Sequence, residues 1–300
     1  MAMGCSFYNI VVFRLSVRKI RPMCQTWQWM PFLLLVALLT PQISEASEAI
    51  WPHSTRVSEL IAQGDEWFAR RAEGGVDDRA LPGPILRATA FYQNALQIAR
   101  TPEDRKRARL KLLESLYFRS CYATRQDQQK LKLFADGIQL SKQFQRSWPA
   151  NPAGYYFYAL FISLWAEEKG IITAIKEGVA GKVRNAALKV IDLDPNYRNG
   201  GPWKVLAVLY HVSPQIPFLT PWASSDSAEV YLEKALQMNP DDPPANYFKS
   251  RLLAETDRKA QAIEWTTKII NRPLRPEHLM EDHRILWKTV ELRHQLLGLE

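Results

Sequence analysis

The sequence has few cysteines, and it lacks the motifs that organise the common catalytic sites. Only Cys121 lies beyond residue 46, so an internal disulfide framework is excluded for the main part of the chain. A G-x-S-x-G elbow, an H-E-x-x-H motif, a phosphate-cradling glycine loop and a dinucleotide fingerprint are all missing. His278 and His283 lie five positions apart without cysteine neighbours, so no metal ligands and no cofactor are predicted. These absences favour a binding protein over an enzyme, with a hydrolase of unrecognised type as the weaker alternative.

The excess of positive charge is small and dispersed. The formal net charge is +8, and it falls to +5 when the first 46 residues are set aside, because they carry four basic residues and one acidic residue. A basic run between residues 105 and 111 could be a phosphate-binding strip, but its spacing distributes the side chains around a helix, as on a solvated face. Proteins that bind nucleic acid usually concentrate such residues on one face. We therefore expect no nucleic acid partner.

A pattern of small and large apolar residues recurs at helical spacing. It is clearest in residues 227–240, which read SAEVYLEKALQMNP, and it returns 34 residues later. That period and pattern are typical of the second helix of a tetratricopeptide repeat. The sequence therefore predicts an all-α, right-handed helical solenoid of tetratricopeptide type. The repeated positions are Ala228, Leu232, Ala235 and Leu236; Ala262, Thr266, Ile269 and Ile270; Ala187, Val190, Ile191 and Pro195; and Ala88, Tyr92, Ala95 and Leu96.

The same reasoning predicts about five helix pairs, with the last helix capping the array. Gly64 stands where a neighbouring helix should pack closely. The most apolar segment, residues 155–165, should be a central core helix, although an exposed binding surface is the alternative. The predicted helices are residues 55–72, 84–99, 102–122, 131–148, 155–165, 172–193, 202–210, 227–240, 243–256, 258–271 and 276–299.

Residues 1–46 comprise an N-terminal extension and, from residue 18 to residue 46, the pattern of an export signal. A basic flank at residues 18–21 precedes an apolar run at residues 27–39, and Ser44 and Ala46 provide small residues for cleavage. The apolar run is shorter than the roughly 20 residues that a permanent membrane span needs. We therefore expect cleavage after Ala46, a repeat domain over residues 47–300 and a periplasmic location. The alternative is an uncleaved segment that anchors the chain in the inner membrane.

One segment breaks the repeat spacing. Pro195 and Pro240 occupy the same position of the repeat pattern, so they should lie 34 residues apart. They lie 45 residues apart, and the extra residues fall within residues 211–224. This loop contains three prolines and the large apolar residues Phe218, Leu219 and Trp222, so it either folds back as a plug or contacts a partner. The predicted recognition surface, for a protein helix or a small apolar ligand, comprises Trp203, Tyr210, Phe218 and Trp222. For Trp203 and Tyr210 alone, a place in the repeat core is the favoured alternative.

From Asn151 to about Arg293 the chain resembles the T component associated with bacterial TRAP transporters, a family of exported tetratricopeptide proteins. The resemblance depends on the combination of LWAEEKG, the Gly200-Gly201 stretch, the proline-bearing loop and RPLRPEHLMEDHR. It implies a non-enzymatic scaffold that can form a homo-oligomer and cooperates with a periplasmic solute-binding protein. A general periplasmic or envelope assembly scaffold unrelated to transport is the alternative.

Overall fold

The computed structural model describes residues 53–299, and this part of the chain is α-helical. The only extended pairing among these residues is an isolated bridge between Val76 and Arg79. The predicted export signal and its cleavage point lie outside the described residues. Within residues 53–299, no helix combines the length and apolar character needed to cross a membrane.

The described residues form twelve α-helices, which follow one another along the array in sequence order and pack as antiparallel pairs. The pairs are α1 with α2, α3 with α4, α5 with α7, α8 with α9 and α10 with α11, and α12 packs against the last pair. The first helix of each pair also contacts the first helix of the next pair. The prediction of five pairs and a terminal cap is therefore confirmed. The bounds are α1 His53–Ala69, α2 Pro82–Ile98, α3 Pro102–Phe118, α4 Asp127–Ser147, α5 Pro152–Lys169, α6 Ile171–Lys176, α7 Val179–Leu193, α8 Gly201–Val212, α9 Ser225–Met238, α10 Pro243–Glu255, α11 Lys259–Ile270 and α12 Leu279–Leu297.

The repeated small residues lie where helices approach each other. Buried positions of the pattern are Ala228, Leu232 and Ala235 on α9, and Ala262, Thr266 and Ile269 on α11. Two glycines show how close the approach is. A Cβ added to Gly64 would lie 2.4 Å from the ring of Tyr92, and one added to Gly137 would lie 2.6 Å from the ring of Phe161. Because real side chains cannot approach so closely, glycine is required at both positions, and the close packing predicted for Gly64 is confirmed.

The apolar helix α5 occupies the middle of the array, as predicted. Phe157, Phe161 and Ile162 are buried, and the helix contacts α4 on one side and α7 on the other. Aromatic side chains around it interlock edge to face, for example Tyr117 with Phe161 at a ring-centroid distance of 6.2 Å. The alternative of an exposed binding surface on this helix is therefore wrong.

Two predicted helices are interrupted in the structure, whereas the bounds of the others differ from the prediction by a few residues. Residues 172–193 do not form one helix, because Gly178 adopts a left-handed conformation (φ 59°) that separates α6 from α7. The helix predicted to reach Tyr122 is α-helical only to Phe118, and residues Arg119–Ala123 form a π-helical turn. In both cases the apolar residues keep their helical spacing across the interruption, so the sequence pattern does not reveal the change in backbone hydrogen bonding.

Aspartate residues mark helix ends as predicted. The Asp242 carboxylate accepts a hydrogen bond from the Ala245 N–H at 2.9 Å and caps the start of α10. Asp194 follows α7 and accepts a hydrogen bond from the Asn196 N–H at 3.0 Å. The Gly200-Gly201 corner next to it packs against α9 and α5: a Cβ on Gly200 would lie 3.2 Å from the α9 backbone. These residues therefore shape the connection between two pairs.

The start of α12 contacts the first helix pair, more than 200 residues earlier in the sequence. Arg71, which is buried, donates a hydrogen bond to the Glu277 carbonyl and lies 3.3 Å from the Glu281 carboxylate. Met280 is 3% exposed and belongs to the same hydrophobic cluster as the core of α1 and α2. The last helix thus completes the packing of the first pair.

A second arginine strengthens this contact from the other side. Arg284 donates to the Asp78 carboxylate at 2.8 Å and to the Cys121 carbonyl at 2.6 Å. Its guanidinium also lies 4.0 Å from the ring centroid of Tyr122. Because one planar guanidinium satisfies an acid, a carbonyl and an aromatic face, lysine could not replace it. We call this contact the clasp; it consists of Arg71, Asp78, Met280, Glu281 and Arg284.

Candidate functional site

Three of the four predicted recognition residues form one aromatic cluster, and a fourth ring joins them. Trp203 stacks on Tyr231 at 6.0 Å between ring centroids, Tyr231 meets Tyr210 edge to face at 4.9 Å, and Tyr210 contacts Trp222 at 4.6 Å. We call Trp203, Tyr210, Trp222 and Tyr231 the aromatic cluster. It joins α8, the loop that follows α8, and α9. Tyr231 was not among the predicted residues.

Polar contacts fix the orientation of these rings. Arg184 on α7 donates to the Tyr210 hydroxyl at 2.8 Å, and its guanidinium lies 5.5 Å from the Trp222 ring centroid. The Trp203 indole N–H donates to the Pro195 carbonyl at 2.9 Å. Tyr210 is buried, whereas Trp203 and Trp222 are half-buried. The core alternative is therefore correct for Tyr210, and Trp222 connects the loop to the core.

Phe218 lies apart from the cluster. Its side chain is 99% exposed, and its backbone has a φ of 66°, a left-handed conformation that is strained for a residue with a large side chain. The neighbouring Leu219 is also exposed. The loop therefore divides into an inward-packed end at Trp222 and an apolar tip at Phe218 and Leu219.

The loop that carries this tip is internally braced. We call residues 213–224, which lie between α8 and α9, the inserted loop. At its centre the buried Thr220 hydroxyl accepts from the Ile216 N–H at 3.1 Å and donates to the Pro214 carbonyl at 2.6 Å. The Gln215 side chain donates to the Pro221 carbonyl at 3.3 Å. These bonds hold the loop in one conformation while its tip remains exposed.

A second insertion exposes apolar residues in the neighbouring pair. The short helix α6 lies between α5 and α7, and Ile171, Ile172 and Ile175 are 58%, 69% and 39% exposed. In an antiparallel pair, the turns between first and second helices lie at one edge of the array. Trp222 packs against the same hydrophobic cluster as residues of α6 and α7. The inserted loop and α6 therefore pack against the same hydrophobic cluster, while their exposed apolar residues are separate.

A groove elsewhere in the array involves none of the predicted residues. It encloses about 340 Å³ between α10 and α12, and Tyr247, Arg251 and Leu292 are among the residues that line it. Arg251 is paired there with Glu255 at 2.7 Å. The groove is open and its walls are mixed in polarity.

The described residues include one cysteine and a histidine at the clasp. Burial raises the pKa of the Cys121 thiol to about 11, so the thiol is protonated and a poor nucleophile at neutral pH. His278 lies 3.8 Å from Glu281 at the clasp. Within residues 53–299, no three histidine, cysteine or acidic side chains are grouped so that they could hold a metal ion.

The basic side chains of α3 have local partners. Lys106 pairs with Glu103 at 2.6 Å, Lys111 pairs with Asp65 at 2.9 Å, and Arg109 donates to the Ser147 hydroxyl at 3.2 Å. Arg105 and Arg107 donate to Ala99 and Ser58, respectively, and these two acceptors lie on different neighbouring segments. The arrangement is that of a solvated, locally paired surface.

Comparison with known proteins identifies the fold. No family model matches the chain, and no curated protein matches it. Among solved structures, TTC0263, a thermophilic TPR protein in Thermus thermophilus, is similar with a TM-score of 0.51 and 14% sequence identity, over 81% of this chain and 98% of that one. The TPR2AB-domain:pHSP90 complex of yeast Sti1 is similar with a TM-score of 0.31 and 9% identity, over 81% of this chain and 99% of that one. The likeness to the Thermus protein confirms the predicted tetratricopeptide-like helical array.

Proposed function

We propose that this chain is a non-enzymatic scaffold that binds a protein partner at the tip of the inserted loop. The observation that supports this proposal is the fully exposed Phe218 on a loop whose polar groups are paired internally. Large aromatic side chains contribute much of the affinity of an interface when a partner buries them. A loop that is already ordered loses little conformational entropy on binding. The strained, exposed Phe218 is therefore better explained by recognition than by folding.

The aromatic cluster supports the tip and extends the proposed surface. Trp222 ties the loop to Tyr210, while the half-buried Trp203 presents part of its ring next to Lys234, whose amino group lies 4.6 Å from the ring centroid. In this proposal Phe218 makes the direct contact, Trp222 holds the loop on the core, Tyr210 acts through packing, and Trp203 offers a second, partly exposed ring on the same cluster. A protein partner suits the site better than a small ligand, because the tip protrudes and does not enclose a cavity.

We further propose that the scaffold is exported to the periplasm and serves as the T component of a TRAP-type uptake system. The support for this proposal is the signal pattern of residues 1–46 and the resemblance over residues 151–293. The partner would then be the periplasmic solute-binding protein. Export is tested by fractionation and mass spectrometry: a soluble periplasmic chain that begins near Ser47 is expected, and a membrane-bound chain that retains Trp27 would indicate the anchor.

Partner binding is tested with the purified solute-binding protein encoded next to this gene. Replacement of Phe218 and Leu219 by Ala should weaken binding at least ~10-fold, whereas Leu86→Ala with Leu297→Ala, a pair of exposed apolar residues on α2 and α12, should leave binding unchanged. Equal affinity of both variants would place recognition elsewhere. If the genome lacks TRAP permease and receptor genes beside this one, the transport assignment fails while the scaffold assignment remains open to other partners.

A further inference from the structure

The short helix α6 has its amphipathic character reversed. None of its six residues is buried, and its three isoleucines point outward. The side that faces the array carries Thr173 and Ala174, and Ala174 packs against the hydrophobic cluster of α5 and α7. A surface helix normally turns its large apolar residues toward the core. We therefore expect the exposed isoleucines of α6 to contact an apolar environment outside the chain.

The backbone around α6 is built to present this face. Gly170 and Gly178 flank the helix with φ values of 82° and 59°, which only glycine adopts readily. The Ala174 N–H donates to the Gly170 carbonyl at 3.1 Å, and the Gly178 N–H donates to the Ile175 carbonyl at 3.0 Å. The backbone groups at both ends are thus partly satisfied within the segment. Such pairing matters in lipid, where unpaired backbone groups are costly.

Lysines border the isoleucines. Lys169 precedes α6 and Lys176 ends it, and among the described residues neither has a carboxylate within ion-pair distance. The nearby acids are partly neutralised: Glu168 lies 3.2 Å from Lys130, and Glu177 lies 3.6 Å from Lys182. Glu167 remains exposed at the end of α5. The tip of the insertion, residues 169–176, therefore carries positive charge only.

The composition of this patch distinguishes a lipid surface from a protein partner. Residues 169–176 contain no aromatic side chain, whereas aromatic residues are enriched in protein interfaces and contribute much of their affinity, and the exposed side chains here are isoleucines and lysines. An interfacial helix instead inserts a few apolar side chains below the headgroups while its basic residues contact phosphates. We propose that α6 contacts the surface of an anionic phospholipid membrane, with Ile171, Ile172 and Ile175 inserted and Lys169 and Lys176 on the headgroups.

Hydrogen exchange of the full chain on vesicles tests this proposal. Vesicles of phosphatidylcholine and phosphatidylglycerol should slow exchange in residues 170–178 about 10-fold, because the inserted helix is shielded and its hydrogen bonds persist. Substitution of Ile171, Ile172 and Ile175 by Gln should abolish that protection. Since the N-terminal segment is the same in both chains, the difference between them reports on α6 alone. Reversal of charge at Lys169 and Lys176 to Glu should reduce protection on anionic vesicles but not in solution.

A matched control separates insertion from general hydrophobicity. Leu86→Gln, Val230→Gln and Leu297→Gln remove the same number of exposed apolar side chains on other helices, and this variant should retain full protection at residues 170–178. Equal protection in the wild-type chain and the isoleucine variant would overturn the proposal. So would protection of residues 170–178 by the purified solute-binding protein without lipid and none by vesicles, because α6 would then be a protein contact.

Discussion

The clasp and the two insertions depart from regular helix pairing in opposite ways. The clasp places arginines and acids at a contact that is buried at Arg71 and partly buried at Arg284, where both arginines bind carboxylates and carbonyls on another part of the chain. The insertions place Phe218 and Ile172 outside, where no described residue covers them. Buried polar groups with partners serve the fold, whereas exposed apolar groups without cover usually indicate binding.

This contrast yields a rule for mutations in this protein. A change in the clasp should alter stability, because each member is packed against a distant segment. A change at an insertion tip should alter binding and leave stability nearly unchanged, because the tip makes few internal contacts. Three measurements test this rule, beginning with the largest expected effect.

The largest effect is expected for Met280→Ala. Met280 is 3% exposed and fills space beside Gly75, where a Cβ would lie 3.0 Å from the Met280 sulfur. Truncation should therefore leave a cavity and lower the free energy of unfolding by about 2–5 kcal/mol, as measured by urea denaturation. Met238→Ala, at the half-exposed end of α9, is the control and should cost under about 1 kcal/mol. Equal losses would mean that the clasp is not a packed contact.

Lowering the pH should have a smaller effect on stability, through the carboxylate of Glu281 at the clasp. Burial raises the pKa of Glu281, but the interactions with His278, 3.8 Å away, and with the charge of Arg71 outweigh burial, so this pKa lies below its ordinary value. Such a group stabilises the fold above its unfolded pKa of about 4.3, and the stabilisation is lost as the pH falls through the lower folded value. Unfolding midpoints measured from neutral pH to pH near 3 should therefore fall less steeply in Glu281→Gln than in the wild-type chain. Parallel curves would show that Glu281 does not contribute.

The smallest effect on stability is expected at the tip of the inserted loop. Phe218→Ala with Leu219→Ala should change the free energy of unfolding by less than about 0.5 kcal/mol. Trp222→Ala, at the inner end of the same loop, should cost more than about 1 kcal/mol, because its ring packs on Tyr210. Thermal and urea unfolding of both variants provide the measurement. A large loss for the tip variant would mean that the exposed side chains stabilise the loop, and the contrast with the clasp would fail.

The sequence predicted the repeat core well, because local spacing determines it. Ala228, Leu232 and Ala235 are buried where the 34-residue pattern places them, and a neighbouring helix packs closely on Gly64 as expected, through Tyr92. The export signal and the transport assignment stay predictions. The boundary between α6 and α7 was missed because glycine is tolerated in a helical pattern, and only the left-handed backbone at that position ends the helix.

Long-range contacts could not be read from the sequence. Arg71 and Arg284 look like ordinary solvated charges there, and nothing local indicates that each meets a partner at least 160 positions away. The apolar content of the loop also predicted that Phe218 and Trp222 both recognise a partner. In the structure Phe218 is exposed, whereas Trp222 packs on Tyr210. Tyr231 could have been suspected, because it is a large aromatic residue on a helix that follows the inserted loop.

The clasp also bears on the order in which the chain can fold during synthesis. The first helix pair emerges from the ribosome long before residues 277–284, yet Met280 is part of its hydrophobic cluster and Arg71 is buried against Glu281. Until the last helix is made, the nascent first pair exposes an apolar site and an unpaired arginine. We therefore expect nascent chains that end before residue 277 to be protease-sensitive in residues 70–80, and that loop to become protected only after residues 277–284 have left the ribosome.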